Sequence, residues 1–323
     1  MQMKTIRWGI LGAANFALEQ MGPAIHAARG AKLSALATSS PEKAEPFQAF
    51  APDLRVHDSY DALLADPDID AVYIPLPNHL HVDWTIKALE AGKHVLCEKP
   101  MALQADQIDR VIAARDAAGL LAAEAFMIVH HPQMARARQI VAGGTLGHIR
   151  HVNVTFSFFN DDTDNIRNQA DAGGGGLPDI GIYAFGSVRF ITGQEPQRIT
   201  HAKIDYENGV DVFAQVAASF DGFGYAATVS MRMHPRQEIV IHGEKGVLRL
   251  SCPFNPNVHA QAELHLETGI NTVTVERFPA ANHYVLQVEA FCKSVNDGSA
   301  YPCPLEFSRG TQEMIDMVYA AGA

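Results

Sequence analysis

The chain opens on a short apolar run that ends in a glycine turn, Ile6-Arg7-Trp8-Gly9-Ile10-Leu11-Gly12-Ala13-Ala14-Asn15-Phe16-Ala17. Thr5 to Leu11 is apolar apart from one Arg, the pattern of a central parallel strand covered on both faces. Asn15 to Arg29 carries Phe16, Leu18, Met21 and Ile25 at roughly helical spacing, with Gly22-Pro23 marking a kink. Gly30 ends that helix, and Lys32–Ala37 returns to strand. The alternation then continues. Helices are expected at Pro41–Ala51, Tyr60–Ala65, His81–Ala91 (stopped by Gly92) and Gln104–Ala118 (closed by Gly119), with strands at Asp70–Ile74 and His94–Cys97. Strand and helix in turn over about 120 residues predict an α/β fold on a doubly wound parallel sheet.

Near Glu124 the pattern changes. Stretches at 148–159, 198–206, 211–220, 224–233, 237–242, 247–251, 262–266 and 272–278 read as strands, several with period two, such as Val212, Ala214, Val216, Ala218 and Phe220. That period fits a half-exposed, mainly antiparallel sheet. Helices are expected at about 132–143, 180–192, 283–296 and 308–320. The expectation is two domains, 1–123 and 124–323, the second an α+β domain on a large open sheet.

Charge and composition remove several function classes. Lys plus Arg is 25 against Asp plus Glu 36, and a net charge of −11 repels phosphate backbones, so nucleic acid is not an expected partner. No run approaches the ~20 apolar residues that span a bilayer. The opening run after Met1-Gln2-Met3-Lys4 is too short for a signal peptide, and Cys97, Cys252, Cys292 and Cys303 have no regular spacing. Four reduced thiols in a cytoplasmic protein are expected.

Five segments carry candidate chemistry. Gly12-x-Ala14-x-x-Ala17, between strand and helix, approximates a dinucleotide fingerprint. Small residues there admit a pyrophosphate to the helix N-terminus, which makes Gly9, Gly12, Ala14, Asn15 and Phe16 cofactor candidates. The second strand ends in Thr38-Ser39-Ser40-Pro41-Glu42-Lys43, with hydroxyls where an NAD enzyme usually places an acid. Thr38, Ser39 and Lys43 suit a 2′-phosphate, so NADP is expected, with NAD as the alternative. Pro75, Leu76, Asn78 and His79 follow another strand and offer groups to a ribose or nicotinamide; His79 and His81 lack a third ligand, so no metal is expected. Glu98-Lys99-Pro100 also leaves a strand end, where a lysine faces the ligand crevice. Finally, four glycines precede Leu177-Pro178-Asp179-Ile180-Gly181-Ile182-Tyr183. Asp179 and Tyr183, four apart, share a face if a helix starts there, and can bind a polyol and move a proton. A capping Asp and a packed Tyr are the structural reading of the same two residues.

Together and in this order, Gly9-x-x-Gly12, Glu98-Lys99-Pro100 and Gly174-Gly175-Gly176-x-x-Asp179-x-Gly181-x-Tyr183 resemble the glucose–fructose oxidoreductase/inositol dehydrogenase/rhizopine-catabolism (Gfo/Idh/MocA) family. The resemblance spans essentially the whole chain. It implies an N-terminal Rossmann domain, a C-terminal α/β domain whose open sheet mediates homodimers or homotetramers, and hydride exchange between NAD(P) and sugars, cyclitols or related diols. By resemblance, Lys99 is the catalytic lysine, Asp179 binds substrate hydroxyls, and Arg167 contacts substrate. Tyr183, where many members carry His, resembles the glucose–fructose oxidoreductase, NADP-dependent xylose dehydrogenase and dimeric dihydrodiol dehydrogenase branch. Ile128-Val129 depart from the Tyr-Arg that relatives often carry there, so substrate identity does not transfer.

The chemistry is self-consistent. Free Tyr titrates near ~10, too high for a base at neutral pH. An ammonium ~4 Å away contributes roughly 4 kcal/mol at an effective dielectric of ~20, about three pKa units before desolvation opposes it. Lys99 and Tyr183 are therefore expected as a proton-handling pair. The competing readings are an NAD-dependent redox-assisted glycosidase, against which the intact Glu98-Lys99-Pro100 argues, and a non-catalytic cofactor-sensing regulator, against which the retained Lys99, Asp179 and Tyr183 argue.

Overall fold

A computed structural model describes residues 4–256 and 258–322, so Met1–Met3 at the head of the opening run lie outside it. The chain forms two compact units. One comprises the residues up to His130 together with Asn282–Arg309; the other comprises His131–Ala281 and the residues from Gly310 on.

The first unit is built on six parallel strands: β1 (Ile6–Leu11), β2 (Ala31–Ala37), β3 (Arg55–His57), β4 (Ala71–Ile74), β5 (His94–Cys97) and β6 (Ala122–Glu124). Their order is β3-β2-β1-β4-β5-β6, so the winding reverses between β1 and β4. β4 is buried at every residue and β1 at all but Arg7, because helices cover both faces. Trp8, fully buried, lies against Phe291 at 5.0 Å between ring centroids. The helix expected over 15–29 is present as a wide turn, Ala17–Met21, running into Gly22–Ala27 with Pro23 in the first turn of the second piece.

Two short strands were not legible in the sequence. β3 reads Arg-Val-His, an exposed edge that Asp66 holds through Arg55 (3.0 Å) and His57 (3.1 Å). β6 reads Ala-Ala-Glu, with no β-branched residue to announce it. The boundary expected at 123/124 falls inside β6. Asn282–Arg309, expected with the second domain, instead pack with the first sheet.

The second unit carries eight strands: β7 (Ile149–Phe159), β8 (Arg198–Glu207), β9 (Val210–Ser219), β10 (Gly224–Ser230), β11 (Arg232–Gly243), β12 (Val247–Leu250), β13 (Glu263–Gly269) and β14 (Thr272–Arg277). They lie in the order β14-β13-β12-β11-β7-β10-β9-β8 and are antiparallel except for β7 beside β10. On β9, Val212, Ala214, Val216 and Ala218 are buried, as the period-two pattern requires. Helices Pro132–Ala142 and Ile182–Thr192 pack against each other in this unit. All four cysteines are buried and unbridged. Among the described residues no helix is long and apolar enough to cross a membrane.

Candidate active site

The first unit gathers most of the expected cofactor residues along one edge of its sheet. Gly12–Phe16 follow β1, Thr38–Lys43 follow β2, Pro75–His79 follow β4, and Glu98-Lys99 follow β5. This is the carboxyl edge of a parallel sheet at its reversal point, where open α/β sheets take ligands. Gly12 turns the chain at φ +110°, a conformation that suits glycine; an added Cβ would also lie 3.2 Å from both Leu76 and the Tyr60 hydroxyl. Its N–H donates to the Ala37 carbonyl (3.0 Å), tying the turn to β2. Ala13 and Ala14 are partly exposed and Asn15 and Phe16 exposed, directly ahead of the helix from Ala17. A glycine at positive φ, two small residues after it and a helix start fit a dinucleotide pyrophosphate. Gly9 has a different reason to be glycine: it lies within β1, and Leu63 occupies the space where its side chain would be.

At the end of β2, Thr38 Oγ1 accepts from the Ser40 N–H (3.2 Å), while Ser39 and Lys43 are exposed. Ser40 Oγ donates to Glu42 (2.8 Å), which lowers the pKa of that carboxyl and leaves an anion beside Lys43.

Lys99 is partly buried, next to Glu98. The Tyr73 hydroxyl donates to Glu98 Oε1 (2.6 Å), and the Lys99 N–H donates to Glu98 Oε2 (3.3 Å). Burial, reinforced by Glu98, raises the pKa of Tyr73 well above the phenol value and keeps it a donor. The Lys99-Pro100 bond is cis. His81 is fully buried; its Nδ1 lies 2.7 Å from the Pro100 carbonyl and its Nε2 2.7 Å from the Leu76 carbonyl. It therefore staples the loop after β4 to the turn that follows Lys99. Burial, the largest influence on it, lowers its pKa, and the two carbonyls oppose that shift. Glu124, at the end of β6, accepts from the Met101 N–H (2.6 Å), and burial raises its pKa. Tyr73 and Glu124 gave no sequence signal beyond their places at strand ends.

The second unit holds the remaining candidates. Its main helix begins at Leu177, two residues before Asp179, with a wide turn Leu177–Gly181 continuing into Ile182–Thr192. Asp179 does not cap that helix; its carboxylate accepts from Arg167 Nε at 2.7 Å. Tyr183 is 5% exposed, with its ring among Phe156 (5.7 Å) and Phe254 (5.8 Å). Arg167, Asp179 and Tyr183 thus stand in one unit, and Lys99 in the other. Ile128 and Val129, the departure from the family pattern, are both buried. Among the described residues no group of three or more His, Cys, Asp or Glu is arranged to hold a metal ion.

Residues 6–126 match the model of an oxidoreductase family with an NAD-binding Rossmann fold, GFO/IDH/MocA, and residues 134–249 match the GFO/IDH/MocA C-terminal domain. The uncharacterized oxidoreductase ORF334 of Rhizobium meliloti is 38% identical, covering 98% of this chain and 96% of its own. D-xylose 1-dehydrogenase (NADP(+)) 2 of Haloferax volcanii is 35% identical, covering 97% and 96%. Among solved structures, KijD10, a 3-ketoreductase from Actinomadura kijaniata in complex with NADP and TDP-benzene, superposes with a TM-score of 0.90 at 30% identity over 98% of each chain.

Proposed function

The chain belongs to the GFO/IDH/MocA family of oxidoreductases, and on that premise we propose that it is an NADP(H)-dependent enzyme exchanging hydride with a sugar, a sugar-derived ketone or a vicinal diol. The observation that carries this reading is the gathering of four strand-end segments, Lys99 among them, on one carboxyl edge. The first unit binds the cofactor. Gly12, Ala14, Asn15 and Phe16 receive its pyrophosphate; Thr38, Ser39 and Lys43 its 2′-phosphate; Pro75, Leu76, Asn78, His79 and Glu98 its nicotinamide half. The cofactor, when bound, supplies or accepts the hydride.

The chain's own residues handle the proton. In the oxidative direction Tyr183 takes it from the substrate hydroxyl as phenolate, and the Lys99 ammonium stabilises that phenolate. In reduction Tyr183 donates it while Lys99 polarises the carbonyl. Asp179 and Arg167 hold substrate hydroxyls. The second unit is then the substrate domain, and its open sheet the surface of a homodimer or homotetramer, in the cytoplasm. The NADP preference is supported by the hydroxyls after β2 and by the NADP-dependent relatives.

The test is initial rates by nicotinamide absorbance with NADP⁺ and NAD⁺, over aldoses, inositols, anhydrosugars and trans-dihydrodiols. Turnover of one class with NADP⁺ preferred supports the proposal. Turnover of a glycoside with no net absorbance change and with cofactor retained through gel filtration replaces it with the glycosidase reading. Cofactor binding with no turnover replaces it with the sensor reading.

A further inference from the structure

The glycine run before Leu177 looks in sequence like room left for a ligand. In the fold that room is already taken from both sides. A Cβ on Gly174 would lie 2.5 Å from the Arg167 carbonyl oxygen, which also accepts the Gly175 N–H at 2.9 Å. A Cβ on Gly175, whose φ is +134°, would run into the Asp211 carboxylate, and one on Gly176 would lie 3.2 Å from the same group. The glycines are a wedge between the backbone at Arg167 and the side chain of Asp211.

Asp211 enters from β9 and is 2% exposed. Its Oδ2 accepts from the Leu177 N–H at 2.7 Å, and the Gly176 N–H also faces the carboxylate. Its Oδ1 accepts from the Tyr319 hydroxyl at 2.7 Å, out of the helix Leu305–Gly322. The helix that carries Asp179 and Tyr183 has no capping side chain of its own, since Gly176 stands at that place. A carboxylate delivered from strand β9 satisfies its first free N–H groups and lies at the positive end of its dipole.

We propose that Asp211, held by Tyr319, is the positioning residue that sets the register of Tyr183 and Asp179. The proposal rests on the proton-handling role given to Tyr183 above. Asp211 itself touches neither substrate nor cofactor; it acts through the start of this helix. Near-attack geometry tolerates little displacement, so loosening the helix start lowers kcat rather than cofactor affinity.

Two readouts separate the clamp from the reading it rests on. Asp211→Asn keeps an acceptor for the Leu177 N–H but loses the charge, and Tyr319→Phe removes only the hydroxyl that orients the carboxylate. The first readout is hydrogen–deuterium exchange in the peptide spanning 176–184. Exchange should rise about tenfold or more in Asp211→Asn, less in Tyr319→Phe, and remain unchanged in Lys99→Ala. The second is steady-state kinetics with NADPH affinity measured alongside. Here kcat should fall roughly 30-fold in Asp211→Asn and about 5-fold in Tyr319→Phe, with substrate KM and NADPH Kd within about threefold of the native values. Unchanged exchange in both variants overturns the clamp. Raised exchange with native kcat, or a loss confined to KM, overturns the positioning role. Should Tyr183→Phe turn over like the native enzyme, the catalytic reading of Tyr183 fails and the positioning proposal falls with it; exchange then still decides whether the clamp exists. Tyr319→Phe decides if Asp211→Asn does not fold.

Discussion

The two units place their chemical groups by different means. In the first, Lys99 and the proposed cofactor residues sit in turns directly after strands, and the turns after β1 and β2 are shaped in part by residues within them. Gly12 supplies its own φ and Thr38 its own side-chain turn. In the second, Asp179 is held by Arg167, 12 residues earlier, and the start of the helix that carries Asp179 and Tyr183 is held by partners far away in the chain, Asp211 and, through it, Tyr319. A parallel sheet edge lends itself to local construction because every strand delivers its loop to the same side. A helix lying on an open sheet must be registered by side chains reaching in from other strands and helices.

The largest effect expected is that of Lys99→Ala, a fall of at least ~100-fold in kcat with cofactor affinity retained, read in steady-state kinetics. A pair of glycine substitutions sharpens the contrast between the units. Gly175→Ala meets both a positive φ and the Asp211 carboxylate, and should cost about 3 kcal/mol or more of stability in denaturant unfolding. Gly12→Ala should cost less stability, because side-chain atoms rather than a buried carboxylate border it, and should raise the NADP Kd about tenfold or more. If both variants lose stability equally and bind cofactor equally, the contrast is broken.

Smaller effects test the local construction of the first unit. Ser39→Asp places an acid at the end of β2 and should shift the NADP⁺/NAD⁺ ratio of kcat/KM toward NAD⁺ by about tenfold. The pH dependence of folding provides the finest test. His131 Nδ1 accepts from the Gln133 N–H at 3.2 Å and so caps the helix Pro132–Ala142 in its neutral form, and burial pushes its pKa down to about 4. The unfolded chain binds that proton near pH ~6.5, so stability is fully present above it and is lost as pH falls toward 4, by up to about 3 kcal/mol. His131→Asn should flatten the unfolding profile across this window, measured by urea denaturation at successive pH values.

The sequence was most legible where construction is local. The buried runs of β1, β4 and β5 and the period-two face of β9 marked their strands. The turn after β1 could be read from Gly12-x-Ala14, since a strand end, a glycine and a helix start are adjacent in sequence. The glycine run at 173–176 was conspicuous, but its cause was not: the Asp211 carboxylate lies on another strand, and nothing in Val210-Asp211-Val212 announces that this acid turns inward. His81 presents the same difficulty on a smaller scale. Its place in the sequence does not show that both ring nitrogens face carbonyls of two separate loops. Packing of Asn282–Arg309 with the first sheet was equally hidden, because amphipathic helices do not state which sheet they cover.

Lys99 and Tyr183 are proposed to act on one proton. The direct test is the pH profile of kcat/KM for the oxidative reaction in the native enzyme, beside the residual activity of Lys99→Met. With the ammonium gone, the acid-side pKa of the profile, assigned to the Tyr183 phenol that must lose its proton to act as base, should move up by about two to three units. A profile of unchanged midpoint in Lys99→Met would contradict the pairing.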